Sequence, residues 1–148
     1  MINVDSIIFR MYNTGSVGDC LFMQFMKNGT VSFNMLIDCG GFNTKTEAIT
    51  ACVKDIKSKL AGKQLDLLVV THEHLDHVSG FNQAKTEFKG ITIKRLWLAW
   101  TENPADRIAK ILKKELGKKL AALISNLDKH LSGVRSKAKS AGSVSSFN

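Results

Sequence analysis

The chain has 148 residues, 44% of them hydrophobic, a single proline and a formal charge of +8 at pH 7. This is one domain's worth of sequence with enough apolar content for a modest core, which excludes a linker-rich or disordered chain. The start, Met1-Ile2-Asn3-Val4-Asp5, has no charged segment leading into an apolar signal, and no run reaches the roughly 18 apolar residues of a membrane span, so a cytoplasmic protein with no membrane partner is expected.

Strands come first. Ser6 to Met11, Cys20 to Met26 and Val31 to Ile37 are short apolar or alternating runs, separated by the turn signals Asn13-Thr14-Gly15 and Asn28-Gly29. Asn28-Gly29 favours the tight turn of a two-stranded hairpin. Thr44 and Glu47 have capping-box spacing ahead of Thr46 to Leu60, where Ile49, Cys52, Val53, Ile56 and Leu60 recur at helical period. Gly62 closes that helix, and Leu65 to Val70 reads as a buried strand. A short helix over Gly80 to Phe88 and a strand over Ile91 to Trp100 follow. Asn103 and Pro104 then suit the start of a long helix whose apolar positions run from Ile108 to Leu131, with Gly117 a point of weakness worth about 1 kcal/mol. Residues 1–132 are read as the folded domain and the Ser-, Gly- and Lys-rich stretch 133–148 as a flexible tail.

Charge is uneven along this order. From Pro104 onward there are 10 Lys or Arg against 3 Asp or Glu, and before it 11 against 10. Lys113, Lys114, Lys118 and Lys119 either form a solvated helix face or contact nucleic-acid phosphates. No aromatic residues alternate with them to stack bases. Cys20, Cys39 and Cys52 are odd in number and contain no C-x-x-C pair, so they read as small core residues rather than a disulfide or zinc framework.

The chemistry concentrates between the fourth strand and the short helix. His72-Glu73-His74-Leu75-Asp76-His77 holds three of the four histidines and two carboxylates, Glu73 and Asp76. Such groups are costly to bury unpaired, and imidazole and carboxylate are the ligands that zinc and similar cations take. His72 and His74 are two apart, so an extended chain sends both to one side. Asp76 and His77 follow where the chain bends, and are placed to serve a second, neighbouring ion. The zinc-protease helix pattern H-E-x-x-H is not met, because Asp76 stands four after His72. The expected setting is a strand-end loop.

Thr71-His72-Glu73-His74-Leu75-Asp76-His77, with Val78-Ser79-Gly80 behind it, resembles the H-x-H-x-D-H motif of the metallo-β-lactamase superfamily. Asn34 to Gly41, a strand ending in Asp38 and a glycine turn, is similar to that family's first motif. Gly18-Asp19-Cys20-Leu21 resembles the hairpin entry of its branch that includes ComEC-type competence proteins. The resemblance implies an α/β fold, the first half of an αββα architecture, with an antiparallel or mixed sheet, flanking helices and here a long C-terminal helix. It implies metal ligands at His72, His74, Asp76 and His77, a structural role for Asp38, and a supporting role for Glu73, which alternates away from the histidines. It implies zinc, one or two ions, with manganese or iron as substitutes. By the family's mechanism, water held by the ions attacks a phosphoryl or carbonyl centre, and Asp76 is the residue placed to hold or deprotonate it.

One departure is large. Beyond His77 the sequence has a single further histidine, His130, in a helical pattern, and no glycine-aspartate strand end for a bridging carboxylate. An amino-terminal half of the family's domain is therefore expected, its site completed by a missing second half or in a homodimer. The functional expectation is a metallohydrolase acting on a small-molecule, nucleotide or other phosphodiester substrate, impaired in this short form. The alternative is a non-catalytic module whose basic helix binds acidic partners or nucleic acid.

Overall fold

The computed structural model describes residues 4–141. It divides into two compact units, Met1–Ala99 and Trp100–Asn148. The first unit is a five-stranded mixed sheet with three helices. Its strands are β1 (Ser6–Met11), β2 (Leu21–Lys27), β3 (Thr30–Ile37), β4 (Leu67–Val70) and β5 (Leu96–Leu98), in spatial order β1-β2-β3-β4-β5. β1, β2 and β3 pair antiparallel, whereas β3, β4 and β5 run parallel. Asn28 and Gly29 have φ of 50° and 71°, the paired left-handed geometry that a two-residue hairpin turn demands. α1 (Thr46–Leu60) is the crossover from β3 to β4, which parallel neighbours require.

The helical period of α1 delivers Ile49, Val53, Ile56 and Leu60 onto the sheet positions Phe22, Leu36 and Leu68, all buried. Each such side chain contributes roughly 1.5–3 kcal/mol by leaving water. Cys20, Cys39 and Cys52 are free and buried in or beside this core, as their sequence context implies. α2 (Leu75–Gln83) and α3 (Lys85–Phe88) pack beside α1 on the same face. Gln24 and Asn34 are buried there too, and are satisfied by each other and by Arg10, Lys59, Gln64 and Asp66.

Four expectations need correction. The short helix begins at Leu75, so Asp76 and His77 occupy its first turn rather than a loop. The capping box at Thr44 and Glu47 does not form: Lys45 precedes α1 without a side-chain cap, because the Thr44 hydroxyl donates to the carbonyl of Thr14 instead. The last strand is only Leu96–Leu98, because its one neighbour, β4, is itself four residues long. Finally, α4 (Arg107–Ala141) starts three residues after Pro104, capped by Asp106, whose Oδ1 accepts the Ala109 N–H at 2.9 Å, while Asn103 closes the preceding turn.

In the second unit α4 is unbroken at Gly117 and extends past Leu131. Ile108, Ile111, Leu112, Leu116, Leu120 and Leu123 line it and are all exposed. Glu102 pairs with Lys113 at 2.6 Å, and Glu115 with Lys118 at 2.8 Å. The His130 side chain and the tail beyond Ala141 lie outside the described residues. No helix among the described residues is long and apolar enough to cross a membrane.

Candidate metal centre

β3 and β4 are parallel neighbours, so their carboxyl ends open at one edge of the sheet, where open α/β sheets present ligands. Asp38 is the first residue after β3 and Thr71 the first after β4. The Asp38 N–H donates to the Val69 carbonyl at 2.9 Å, which locks the two strand ends together. Asp38 adopts φ 53°, a left-handed turn that aspartate tolerates better than most residues. That turn aims its carboxylate back under the histidine segment.

Two further segments are tied to this edge by the backbone. Cys39 N–H donates to His77 O at 2.8 Å, Gly80 N–H to Cys39 O at 2.9 Å, Asp19 N–H to Asp76 O at 3.1 Å and Gly40 N–H to Asp19 O at 3.0 Å. This close approach needs glycine at Gly40: a Cβ there would stand 2.7 Å from backbone atoms of Asp76 and His77. The hairpin entry at Gly18-Asp19, the turn after β3 and the start of α2 therefore form one rigid cradle.

Into that cradle the three neighbouring histidines converge. The His72 ring centroid is 4.0 Å from that of His77 and 4.6 Å from that of His74. The helical first turn thus brings His77 back beside His72, rather than away from it. Asp76 Oδ2 lies 3.4 Å from His77 Nε2. Glu73 is exposed and alternates outward.

The buried Asp38 organises this group. Its Oδ1 accepts the Thr71 N–H at 2.8 Å, and its Oδ2 accepts the Thr71 hydroxyl at 2.5 Å and faces His77 Nδ1 at 2.9 Å. Satisfying every partner requires His77 to carry its proton on Nδ1. The Thr71 hydroxyl, having given its proton to Asp38, accepts from His72 Nδ1 at 3.0 Å. The hydrogen-bond network thus assigns both rings the same tautomer, leaving Nε2 of each with a lone pair. A carboxylate or hydroxyl holding Nδ1 while Nε2 stays open is how proteins orient histidine ligands.

Among the described residues, the group of three whose candidate donor atoms all lie within 4.8 Å of one another is Asp19, Asp38 and His77, and His72, His74 and Asp76 are not part of it. We read this trio as the supporting side of the centre, because Asp38 and His77 Nδ1 are occupied with each other. Asp19 is the residue that sequence reasoning passed over: its Oδ2 lies 3.5 Å from His77 Nδ1, and the Gly18-Asp19 dipeptide was its only signal. The donor set of imidazoles and carboxylates fits a divalent cation. An open depression of about 550 Å³ lined by Asn34, Lys63, Gln64 and Asp66 lies at the opposite strand ends, and its polar groups largely bond one another.

An α/β sheet with an Asp/His cluster at the carboxyl ends of its parallel strands defines a candidate metal-binding protein. A family model described as the metallo-beta-lactamase superfamily matches residues 14–118, and the chain belongs to that superfamily. The match runs from the hairpin entry through the histidine segment into α4. No curated protein and no solved structure gives a significant match to the chain.

Proposed function

We propose that the chain is a zinc-dependent hydrolase centre of this superfamily, with a phosphodiester as substrate class and His72, His74, Asp76 and His77 as ligands. The observation that carries this reading is the pinning of His72 and His77 at Nδ1 by Thr71 and Asp38, which leaves both Nε2 atoms open, that of His77 at 3.4 Å from Asp76 Oδ2. A bound zinc would supply Lewis acidity toward a phosphoryl oxygen and a lowered pKa for water. Asp38 holds His77 in one tautomer, the glycine turn fixes the start of α2, and Asp76, at the mouth of the cradle, is placed to accept a proton from an attacking water. Asp19, half exposed, borders the same edge.

Hydrolysis of bis-p-nitrophenyl phosphate and of a chromogenic lactam, each with added zinc or manganese, tests the proposal. Slow phosphodiester turnover that needs the metal and is lost in Asp76→Ala is expected, with the lactam untouched. Metal-independent turnover, or activity retained in Asp76→Ala, contradicts it. The second reading, a nucleic-acid module built on α4, has Lys110, Lys114 and Lys119 in its favour, all exposed on the helix. It is the weaker one, because Lys113 and Lys118 already pair with Glu102 and Glu115.

A further inference from the structure

Three carboxylates surround His77. Asp38 Oδ2 faces its Nδ1 at 2.9 Å, Asp76 Oδ2 faces its Nε2 at 3.4 Å, and Asp19 Oδ2 stands 3.5 Å from Nδ1 on a side chain that is 48% exposed. At 3.5 Å Asp19 is beyond the roughly 2.7–3.2 Å of a hydrogen bond, so Asp38 alone holds the Nδ1 proton. The fold nevertheless fixes Asp19 in this place. Its N–H donates to Asp76 O at 3.1 Å and its carbonyl accepts the Gly40 N–H at 3.0 Å, so the backbone is held from both sides without help from the side chain. Gly18 lets the hairpin entry close on the turn after β3, because a Cβ there would stand 2.6 Å from Gly41 Cα and 2.7 Å from Asp76 O. An Asp19 oxygen is thereby brought within 4.8 Å of an Asp38 oxygen, where like charges repel. Among the described residues, the ion pairs of both carboxylates are with His77 and none is with a lysine or arginine.

We propose that Asp19 is a positioning residue for the metal: acting across the His77 ring, its charge raises the affinity of the centre for a divalent cation at Nε2. Asp38 orients the ring through a hydrogen bond, and Asp19 adds a field at the same edge. The role rests on the metal-centre reading of the cradle. It involves only segments that the cradle's own backbone bonds hold together, so ligands supplied by further chain would leave it unchanged. Half exposed, the carboxylate is partly screened, and the effect should be that of a surface ion pair doubled by the second charge of the ion, about 3- to 10-fold in affinity. Salt should erase it, since the Debye length falls from about 30 Å at 0.01 M to about 3 Å at 1 M.

Calorimetric zinc titration of the full 148-residue chain beside Asp19→Asn and Asp19→Glu, at about 0.01 M and about 1 M salt, tests this. Asparagine keeps the shape of the side chain and both backbone bonds, so its denaturant midpoint should match wild type. Zinc affinity in Asp19→Asn should fall about 3- to 10-fold at low salt and lie within about twofold of wild type at high salt, while Asp19→Glu, which keeps the charge, should lie within about twofold at both. A loss in Asp19→Asn that is equal at both salt concentrations, with or without a lowered midpoint, marks a structural or ligand role and overturns the proposal. A loss in Asp19→Glu as large as in Asp19→Asn, or no loss in Asp19→Asn at low salt, overturns it too and leaves the metal-centre reading standing. A wild type that binds no zinc overturns that reading and this role with it.

Discussion

Asp38→Asn separates the structural from the electronic part of the histidine cradle. Asparagine keeps the shape of the side chain and tolerates the left-handed φ of 53°. Its carbonyl oxygen can still accept the Thr71 N–H, which is 2.8 Å from Asp38 Oδ1. The amide nitrogen then stands where Oδ2 was, facing the Thr71 hydroxyl and His77 Nδ1, both of which donate in the native arrangement. The hydroxyl can turn to water, since Thr71 is exposed. His77 is half-buried and relieves the clash by moving its proton from Nδ1 to Nε2, which removes the lone pair that a metal would use. The cost to folding should be about 1 kcal/mol, one exchanged hydrogen bond. Asp38→Ala, which leaves Thr71 N–H and His77 without an acceptor and puts alanine at positive φ, should cost about 2–4 kcal/mol. Zinc affinity in Asp38→Asn should nevertheless fall 10- to 100-fold, the usual effect of losing the partner that orients a ligand. Titration calorimetry, denaturant midpoints and nitrogen shifts of the His77 ring report the three quantities separately. An Nδ1–H tautomer retained in Asp38→Asn, with zinc affinity within about threefold of wild type, would refute the reasoning.

Gly40→Ala places a Cβ 2.7 Å from the backbone of Asp76 and His77, neither of which is a flexible side-chain end, so stability should drop by about 1–3 kcal/mol in chemical denaturation, with weakened zinc binding. Gly117→Ala meets nothing within 4 Å in α4 and should instead stabilise by up to about 1 kcal/mol in the same assay. A hydrogen bond to Cys39, then burial, holds the Cys20 thiol well above its ordinary value of 9.0, and burial raises Cys52 likewise. Unfolded thiols ionise first as pH rises, so the stabilisation is complete below about pH 9 and is lost above it, at about 1.4 kcal/mol per pH unit per thiol. Denaturant midpoints measured from about pH 8 to 10 should fall, and fall less in Cys20→Ala.

The local periodicities and turn signals were legible because they express burial against a single sheet face. Asn28-Gly29 and the apolar spacing of Thr46 to Leu60 recur in the structure unchanged. The parallel pairing of β3 with β4, which brings Asp38 beside Thr71, follows from a long-range crossover that local pattern does not encode. Legible also was the identity of the histidine segment, because three imidazoles in six residues have no use in a core. Its setting was not: an extended reading sends His77 away from His72, whereas the helical first turn brings the rings together. Asp19 was overlooked because its place in the cradle depends on backbone bonds to Gly40 and Asp76, which lie far along the chain.

Zinc content and affinity of the purified chain, measured by elemental analysis and calorimetry beside a His72→Ala/His74→Ala double variant, bear most directly on the claim that the histidine cradle is a metal centre. One zinc per wild-type chain, held more weakly than in a complete site because the His72/His74 and Asp76/His77 pairs supply at most two protein ligands per ion, and none above background in the double variant is the expected result. Equal zinc content in the two proteins would contradict the account.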